Sequence, residues 1–480
     1  MTLIAGIDSS TQSCKITVRD LETGREIREG QAGHPDATIV SPSVWWDALL
    51  TAVRRAGGLN DVSAISVSGQ QHTPIFLDAE GGPICDSPLW NDVGSHSHTA
   101  DLNNELGADE WIRRTGLPIT LSDTVSKLRW LRDTNPAAAR RTEAVAIVHD
   151  WLIWRLRGFG GQRRGGLDEL TTDRSEASGT GYWSGEDEAY CTDLFELAFS
   201  KSAVLPRILA PLDVAGVTGA GLPGIPAGIP IAVGSGDNAA AAIALGVSDG
   251  DVVLSMGTSG VVYTRTPRPV HDYAGYVCSY ADATGSHLPL VATLNSARNF
   301  KAATGLLGCS FDELAELALQ APPGAEGLTV LPYFEGERTP NAPDARASLH
   351  GASLANFTRP NVARAMVEGT LASQTFMLDA LRDCGVESRR LMLIGGAAQN
   401  SAVRRILPQL VDMPIAVPAA DEYVAKGAAM HATAALTGEF PLWSVDAIEL
   451  PAAASQPRIA AQHEAVKTAF GYAGAGSEIV

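Results

Sequence analysis

Two short turns in this sequence carry the residue types that a phosphate group needs. Asp8-Ser9-Ser10-Thr11-Gln12 follows the apolar run Leu3 to Ile7, and Met256-Gly257-Thr258-Ser259-Gly260 follows Val252 to Ser255. Small hydroxyl residues and glycine in a tight turn expose successive backbone N–H groups, which bind phosphate oxygens. Either turn alone also reads as a plain β-hairpin. A pair of them, one per half of the chain, would grip a triphosphate from both sides. The sequence has no Gly-Lys dipeptide, which excludes a Walker A loop. Gly234-Ser235-Gly236 lacks the third glycine of a dinucleotide fingerprint.

Asp237 opens the alanine-rich run Asn238 to Leu245, which predicts a helix starting at Asp237. Its carboxylate reads as a helix N-cap or as a general base that takes a proton from an alcohol during phosphoryl transfer. The roles are compatible, because one oxygen can cap while the other faces a substrate. Asp8 suits Mg²⁺ or a sugar hydroxyl, and equally an Asx-turn. Gln70-Gln71-His72 ends the apolar run Val62 to Val67, where polar residues face a ligand crevice or form a satisfied turn. Gly395-Gly396-Ala397-Ala398-Gln399-Asn400 follows Leu391 to Ile394. It would let a flat base approach the backbone, with Asn400 bonding it, or it is a close-packing turn. His96 and His98 lack a third metal ligand at a recognisable spacing.

These residues need strands and helices to hold them. The opening reads as strand, turn, strand, turn, strand, then a helix over Val44 to Arg55. Residues 108–157 read as mainly helical. The Pro- and Gly-rich stretch Pro211 to Pro230 reads as an inter-domain connection leading into a strand at Ile229 to Val233. A long helix is expected over Asn361 to Cys384, with Pro360 at its start and Gly385 after it. Placing Ser255 on Asp8 puts Thr258 on Thr11 and Ser259 on Gln12, as in a duplicated α/β domain; a match this short also arises by chance.

Composition narrows the classes further. A chain of 480 residues exceeds one ordinary core, so at least two domains are expected. The net charge of −18, with basic residues only in isolated pairs, argues against a nucleic-acid partner. Proline and glycine interrupt the uncharged stretch Val214 to Gly236, which excludes a membrane helix there. Six scattered cysteines without a CxxC pair, and few apolar residues before Asp8, make the cytoplasm the expected location.

Taken in order, these segments resemble the FGGY carbohydrate kinases, a family that includes xylulose, glycerol, gluconate and ribulose kinases. Gly6 to Lys15 is similar to its N-terminal phosphate hairpin, and Ser68 to His72 to the sugar-binding turn of the xylulose-specific members. Leu89-Trp90-Asn91-Asp92 and Thr172 to Thr180 match in sequence, as do Gly236-Asp237-Asn238-Ala239-Ala240 around the family's base. Ser255 to Gly260, Gly336-Glu337-Arg338-Thr339-Pro340, Gly395 to Asn400 and Gly427-Ala428-Ala429 complete the series. The family's usual glycine is Ser10 here, and its usual arginine two places after Trp-x-Asp is Gly94.

The resemblance implies two actin-like (ribonuclease H-like) α/β domains around a cleft. The expected divisions are a sugar-binding domain at 1–243 and a nucleotide-binding domain at 244–480. It implies transfer from ATP, with Mg²⁺, to D-xylulose, giving D-xylulose 5-phosphate. Asp237 would be the base and Asp8 would sit by the metal. Gln71, His72, Asp237 and Asn238 would hold the sugar. Ser10, Thr11, Gln12, Gly257, Thr258, Ser259, Gly395, Gly396 and Asn400 would hold the nucleotide. Another ketose or polyol, a non-metabolic actin-like ATPase and an inactive regulatory relative stay open, as does a homodimer.

Overall fold

The computed structural model describes residues 1–161 and 163–472; the glycine-rich stretch 158–166 includes Gln162, which lies outside the described residues. The first half contains β1 (Leu3–Ser9), β2 (Ser13–Asp20), β3 (Glu26–Gly33), α1 (Ser43–Arg55), β4 (Val62–Gly69), α2 (Arg174–Ser178), β5 (Pro230–Ala232), β6 (Ser235–Gly236) and α3 (Asp237–Leu245). The second contains β7 (Asp251–Met256), β8 (Gly260–Thr264), β9 (Cys278–Ala281), β10 (His287–Thr293), α4 (Arg359–Asp383), β11 (Arg390–Ile394), β12 (Ile415–Pro418) and α5 (Tyr423–Thr437).

Both halves build the same sheet. In the first the order is β5-β4-β1-β2-β3, and in the second β12-β11-β7-β8-β10. Each has an antiparallel meander, β1-β2-β3 or β7-β8-β10, and parallel strands on the other side of its first strand. The repeated topology carries the duplicated, actin-like two-domain fold well beyond a Gly-Thr-Ser match. The second turn is one residue tighter than the first. Ser9 pairs with Cys14 across the first, and Met256 with Gly260 across the second, so the overlay of Ser255 on Asp8 holds along the strands and the loops differ by one residue.

Strand alternation explains how the sheets are buried and where they become polar. Side chains alternate between faces along a strand. Leu3, Ala5 and Ile7 enter a core with α1, while Ile4 joins a second core shared by both halves. Gly6 and Asp8 follow Ile4 on that second face. In β7, Val252, Leu254 and Met256 pack with α4, whereas Val253 enters the shared core and Ser255 follows it. Each sheet thus ends one face in a polar residue, Asp8 or Ser255, at the edge of the shared core.

Helices α3 and α5 fill that shared core and touch backbone to backbone. A Cβ on Gly6 would stand 2.0 Å from the Ala425 carbonyl oxygen of α5, and one on Gly427 would stand 1.9 Å from the Ala240 oxygen of α3. Glycine is required at both places by this approach. The long α4 is capped by Thr358, whose side chain accepts the Asn361 N–H, and Gly385 follows it at φ +77°.

Residues 108–157 are mainly helical, as expected, and are interrupted by the strand Ala144–Ile147, which pairs with Pro74–Leu77. A short apolar run next to the helix at Val148–Leu156 has no periodicity to separate the two states. The stretch Pro211 to Pro230 is not an inter-domain connection. Val214–Val217 folds back antiparallel on β5 and forms the edge of the first sheet. Among the described residues, no helix is long and apolar enough to cross a membrane.

Candidate active site

The carboxyl ends of the parallel strands converge between the halves, where ligands of open α/β sheets bind. Asp8 of β1 lies beside Ser68 of β4, and Ser68 beside Ser235 of β6, with the Ser68 hydroxyl donating to the Ser235 carbonyl at 2.9 Å. Two residues later comes Asp237. It forms part of the wall of a cleft of about 450 Å³, with Asn238, Ser255, Tyr263, Gly395 and Gly396. Pro418 and the segment from Ala420 to Val424 form another wall of it.

Asp237 is the first helical residue of α3; Gly236 occupies the cap position and makes no side-chain cap. The N-cap reading of Asp237 is therefore off by one place. Its Oδ1 accepts the Asn238 backbone N–H at 2.7 Å and the Asn238 side-chain amide at 2.9 Å. Oδ2 has no hydrogen-bond partner among the described residues, so it is available to a ligand. Burial pushes the Asp237 carboxyl up to about 6, against the hydrogen bond from Asn238. Burial likewise pushes Asp8 up to about 7; the Ser10 hydrogen bond pulls it back and the Asp237 charge adds to the rise.

The two turns differ in what they leave open. Ser10 donates its hydroxyl to Asp8 Oδ1 at 2.9 Å and its N–H to Ser13 at 3.1 Å. Its side chain thus bends back onto Asp8. The Thr11 hydroxyl accepts the Trp90 indole N–H at 2.8 Å. The backbone N–H groups of Thr11, Gln12, Thr258 and Ser259 form no hydrogen bond among the described residues. Those amides, with that of Gly257, are free to bond a ligand. Gly94 donates its N–H to Asp92 Oδ1 at 2.9 Å, in the space an arginine stem would need.

His72 and Gln71 do not line this cleft. His72 has φ +72°, and its Nδ1 lies 2.6 Å from the Gly179 carbonyl and 3.4 Å from Asp123 Oδ1. Burial lowers its pKa, with Asp123 opposing, so the ring is neutral at ordinary pH. Tyr280 packs on it with ring centroids 5.8 Å apart. Gln71 donates its side-chain amide to the Ser175 carbonyl, its own carbonyl accepts the Thr73 N–H at 3.0 Å, and its backbone N–H has no partner among the described residues. Asn400 caps the helix Ser401–Ile406 through Oδ1 and does not line the cleft; it holds the Gly395–Gln399 loop in place.

Sequence reasoning missed Tyr263, Asp123 and the Pro418–Val424 wall. Ion pairs from the first sheet hold that wall: Arg19 to Asp421 at 2.8 Å and Lys15 to Glu422 at 2.5 Å. Partners some 400 residues apart leave no local signal.

Behind Asp237 lies a group with an unusual titration. Glu176 is fully buried and neither carboxyl oxygen has a hydrogen-bond partner. Burial, with Asp173, Asp150 and Asp237 nearby, holds its pKa well above the ordinary 4.5. A raised native pKa stabilises the fold fully below about pH 4.5, and that contribution is lost as pH climbs toward the native value. Glu176→Gln removes the titration. Its melting temperature relative to the parent is expected to rise as pH climbs above about 4.5; a difference independent of pH would contradict the neutral acid.

Comparison with known proteins agrees with this geometry. The model of the FGGY family of carbohydrate kinases matches over residues 3–244 with its N-terminal domain and 252–436 with its C-terminal domain. A xylulose kinase of Streptomyces coelicolor is 40% identical over 446 residues, covering 91% of this chain and 89% of that protein. A glycerol kinase of Alkalilimnicola ehrlichii is 29% identical over 464 residues, covering 91% and 90%. The crystal structure of xylulose kinase from Bifidobacterium adolescentis superposes with a TM-score of 0.91 at 39% identity, covering 97% of this chain and 99% of that one. With both domain models matched in order across the two sheets that frame the cleft, this chain belongs to the FGGY family of carbohydrate kinases.

Proposed function

We propose that the protein transfers the γ-phosphoryl group of ATP to D-xylulose, with Asp237 as general base. The observation that carries this reading is the unpartnered Asp237 Oδ2 in the cleft shared with Gly395 and Gly396, on a carboxyl held at about 6. A base is most effective when its pKa lies near the working pH. The C5 hydroxyl gives its proton to Oδ2 as its oxygen bonds the γ-phosphorus. The bond from that phosphorus to the bridging oxygen breaks, and its electron pair leaves with ADP. The resemblance to xylulose kinases at 40% identity supports the substrate.

The remaining residues have assignable roles. His72, with its ring set by Gly179, and the main chain at Gln71 would receive sugar hydroxyls. Asn238 fixes the rotamer of Asp237 through two hydrogen bonds. The open amides of both turns would hold the β- and γ-phosphates, and Gly395-Gly396 would let the nucleoside lie against the backbone. Asp8 would hold Mg²⁺, which neutralises phosphate charge when bound. One buried carboxylate with a free oxygen suits an ion that takes most of its ligands from water and phosphate. No group of three or more His, Cys, Asp or Glu is placed to hold a metal ion among the described residues, so an all-protein metal cage is not on offer.

Mg·ATP with D-xylulose, D-ribulose, glycerol and D-gluconate in a coupled ADP assay tests the substrate. D-xylulose is expected to exceed each of the others about tenfold or more in kcat/KM. Negligible turnover of D-xylulose with rapid turnover of another acceptor would reject it.

A further inference from the structure

The residue that carries the base is itself held by an element outside the cleft. Gly236 donates its backbone N–H to the Ser175 hydroxyl at 2.9 Å, and that hydroxyl donates to Asp173 Oδ2 at 2.6 Å. Asp173 also accepts the N–H groups of Ser175 at 2.8 Å and Glu176 at 3.0 Å, capping α2. Asp173 and Ser175 are 2% and 1% exposed, so water does not compete for these bonds. Gln71 completes the clamp: it donates to the Ser175 carbonyl at 2.8 Å, and its side chain fills the space where a Cβ on Gly236 would stand, 2.9 Å away. Helix α2 also reaches the second half. Arg174 donates to the main-chain oxygens of Asp282 at 3.3 Å and Ser286 at 2.5 Å, and Ser178 Oγ accepts the Ala281 N–H at 2.9 Å.

We propose that Ser175, oriented by Asp173, is a positioning residue that holds Gly236 and thereby aims the Asp237 carboxylate at the acceptor hydroxyl. The inference rests on the reading of Asp237 as base. Glycine is the most freely rotating residue, and Gly236 lies just before the helix that begins with Asp237. A misplacement of about 1 Å at a reacting group costs about 10²-fold in rate. The Ser175 bond restrains Gly236 beyond its pairing with Gly69, and α2 ties that restraint to β9 of the other half.

Single-turnover phosphoryl transfer at saturating Mg·ATP and D-xylulose tests this. Ser175→Ala is expected to slow the step about tenfold, with KM for ATP and sugar within about twofold of the parent. Ser175→Thr, which keeps the oxygen, restores the rate. Asp173→Asn, which leaves one acceptor oxygen where the carboxylate offers two for the Ser175 hydroxyl and the Ser175 and Glu176 N–H groups, slows it in the same way. Asp237→Asn in the same assay separates the two claims. If it keeps the parent rate, the base reading fails and this inference with it. If it is slow while Ser175→Ala and Asp173→Asn both keep the parent rate, even with lowered melting temperatures, the inference alone is overturned.

Discussion

In steady-state assays with Mg·ATP and D-xylulose, Asp237→Asn is expected to turn over about 10²-fold or more slowly than the parent, with ATP affinity retained. The amide keeps the shape of the side chain and can still accept the Asn238 backbone N–H through its carbonyl oxygen. What it loses is the ability to take a proton at the position of Oδ2, which has no other partner in the structure. Effects confined to the proton-transfer step lower kcat, whereas loss of binding raises KM. Calorimetric titration with ATP checks the second arm.

The pH profile gives the same residue a second readout. With its pKa pushed up to about 6, Asp237 is active when ionised, so kcat/KM of the parent should climb with pH through about 6 and level above about 7. Asp8, pushed up to about 7, ionises in the same window. Burial lowers the His72 pKa from its ordinary value, so its change of charge falls on the acid side of this window. Asp237→Asn should remove most of the acid limb. A parent profile flat from pH 5 to pH 8, or an unchanged rate in the variant, would discard the base.

Much of this site was legible because its parts are local. A strand that ends in a small polar turn announces itself within about ten residues, as at Leu3 to Gln12 and Val252 to Gly260. Alanine richness marked α3, and the proline and glycine at its ends marked α4. The misreadings have physical causes too. The edge hairpin at Val214–Val217 is dense in turn residues because edge strands tolerate proline and glycine, so its composition imitates a linker. Ser10 stands where the family's phosphate turn has glycine. Only the fold shows its hydroxyl folded back onto Asp8. The contacts His72 to Asp123, Ser175 to Gly236 and Arg19 to Asp421 join distant segments. No pattern of spacing encodes them, since they exist only once two sheets and two helices have packed.

That packing sets the last prediction, at Gly427. A Cβ there would overlap the Ala240 carbonyl of α3 at 1.9 Å and the Ala240 Cα at 2.9 Å. These are backbone atoms in a helix, so no side-chain rotation relieves the clash. The other side of α5 is closed as well, because Gly6 of β1 already meets Ala425 and Ala429. Gly427→Ala must therefore push α3 away from α5, at a cost of about 1–3 kcal/mol for overpacking, more than the intrinsic gain of about 1 kcal/mol from alanine in a helix. The displaced helix is the one that begins with Asp237, so the still-folded protein should also lose kcat. Gly427→Val, with two further methyl groups, should accumulate as insoluble chain. Gly305→Ala is the control. It lies in the helix Ala297–Leu307 with nothing within 4 Å of its Cβ position, and should be neutral or more stable than the parent. Thermal melts and kcat on the three variants decide the matter, and a Gly427→Ala protein with parental melting temperature and rate would show that α3 is not held by that contact.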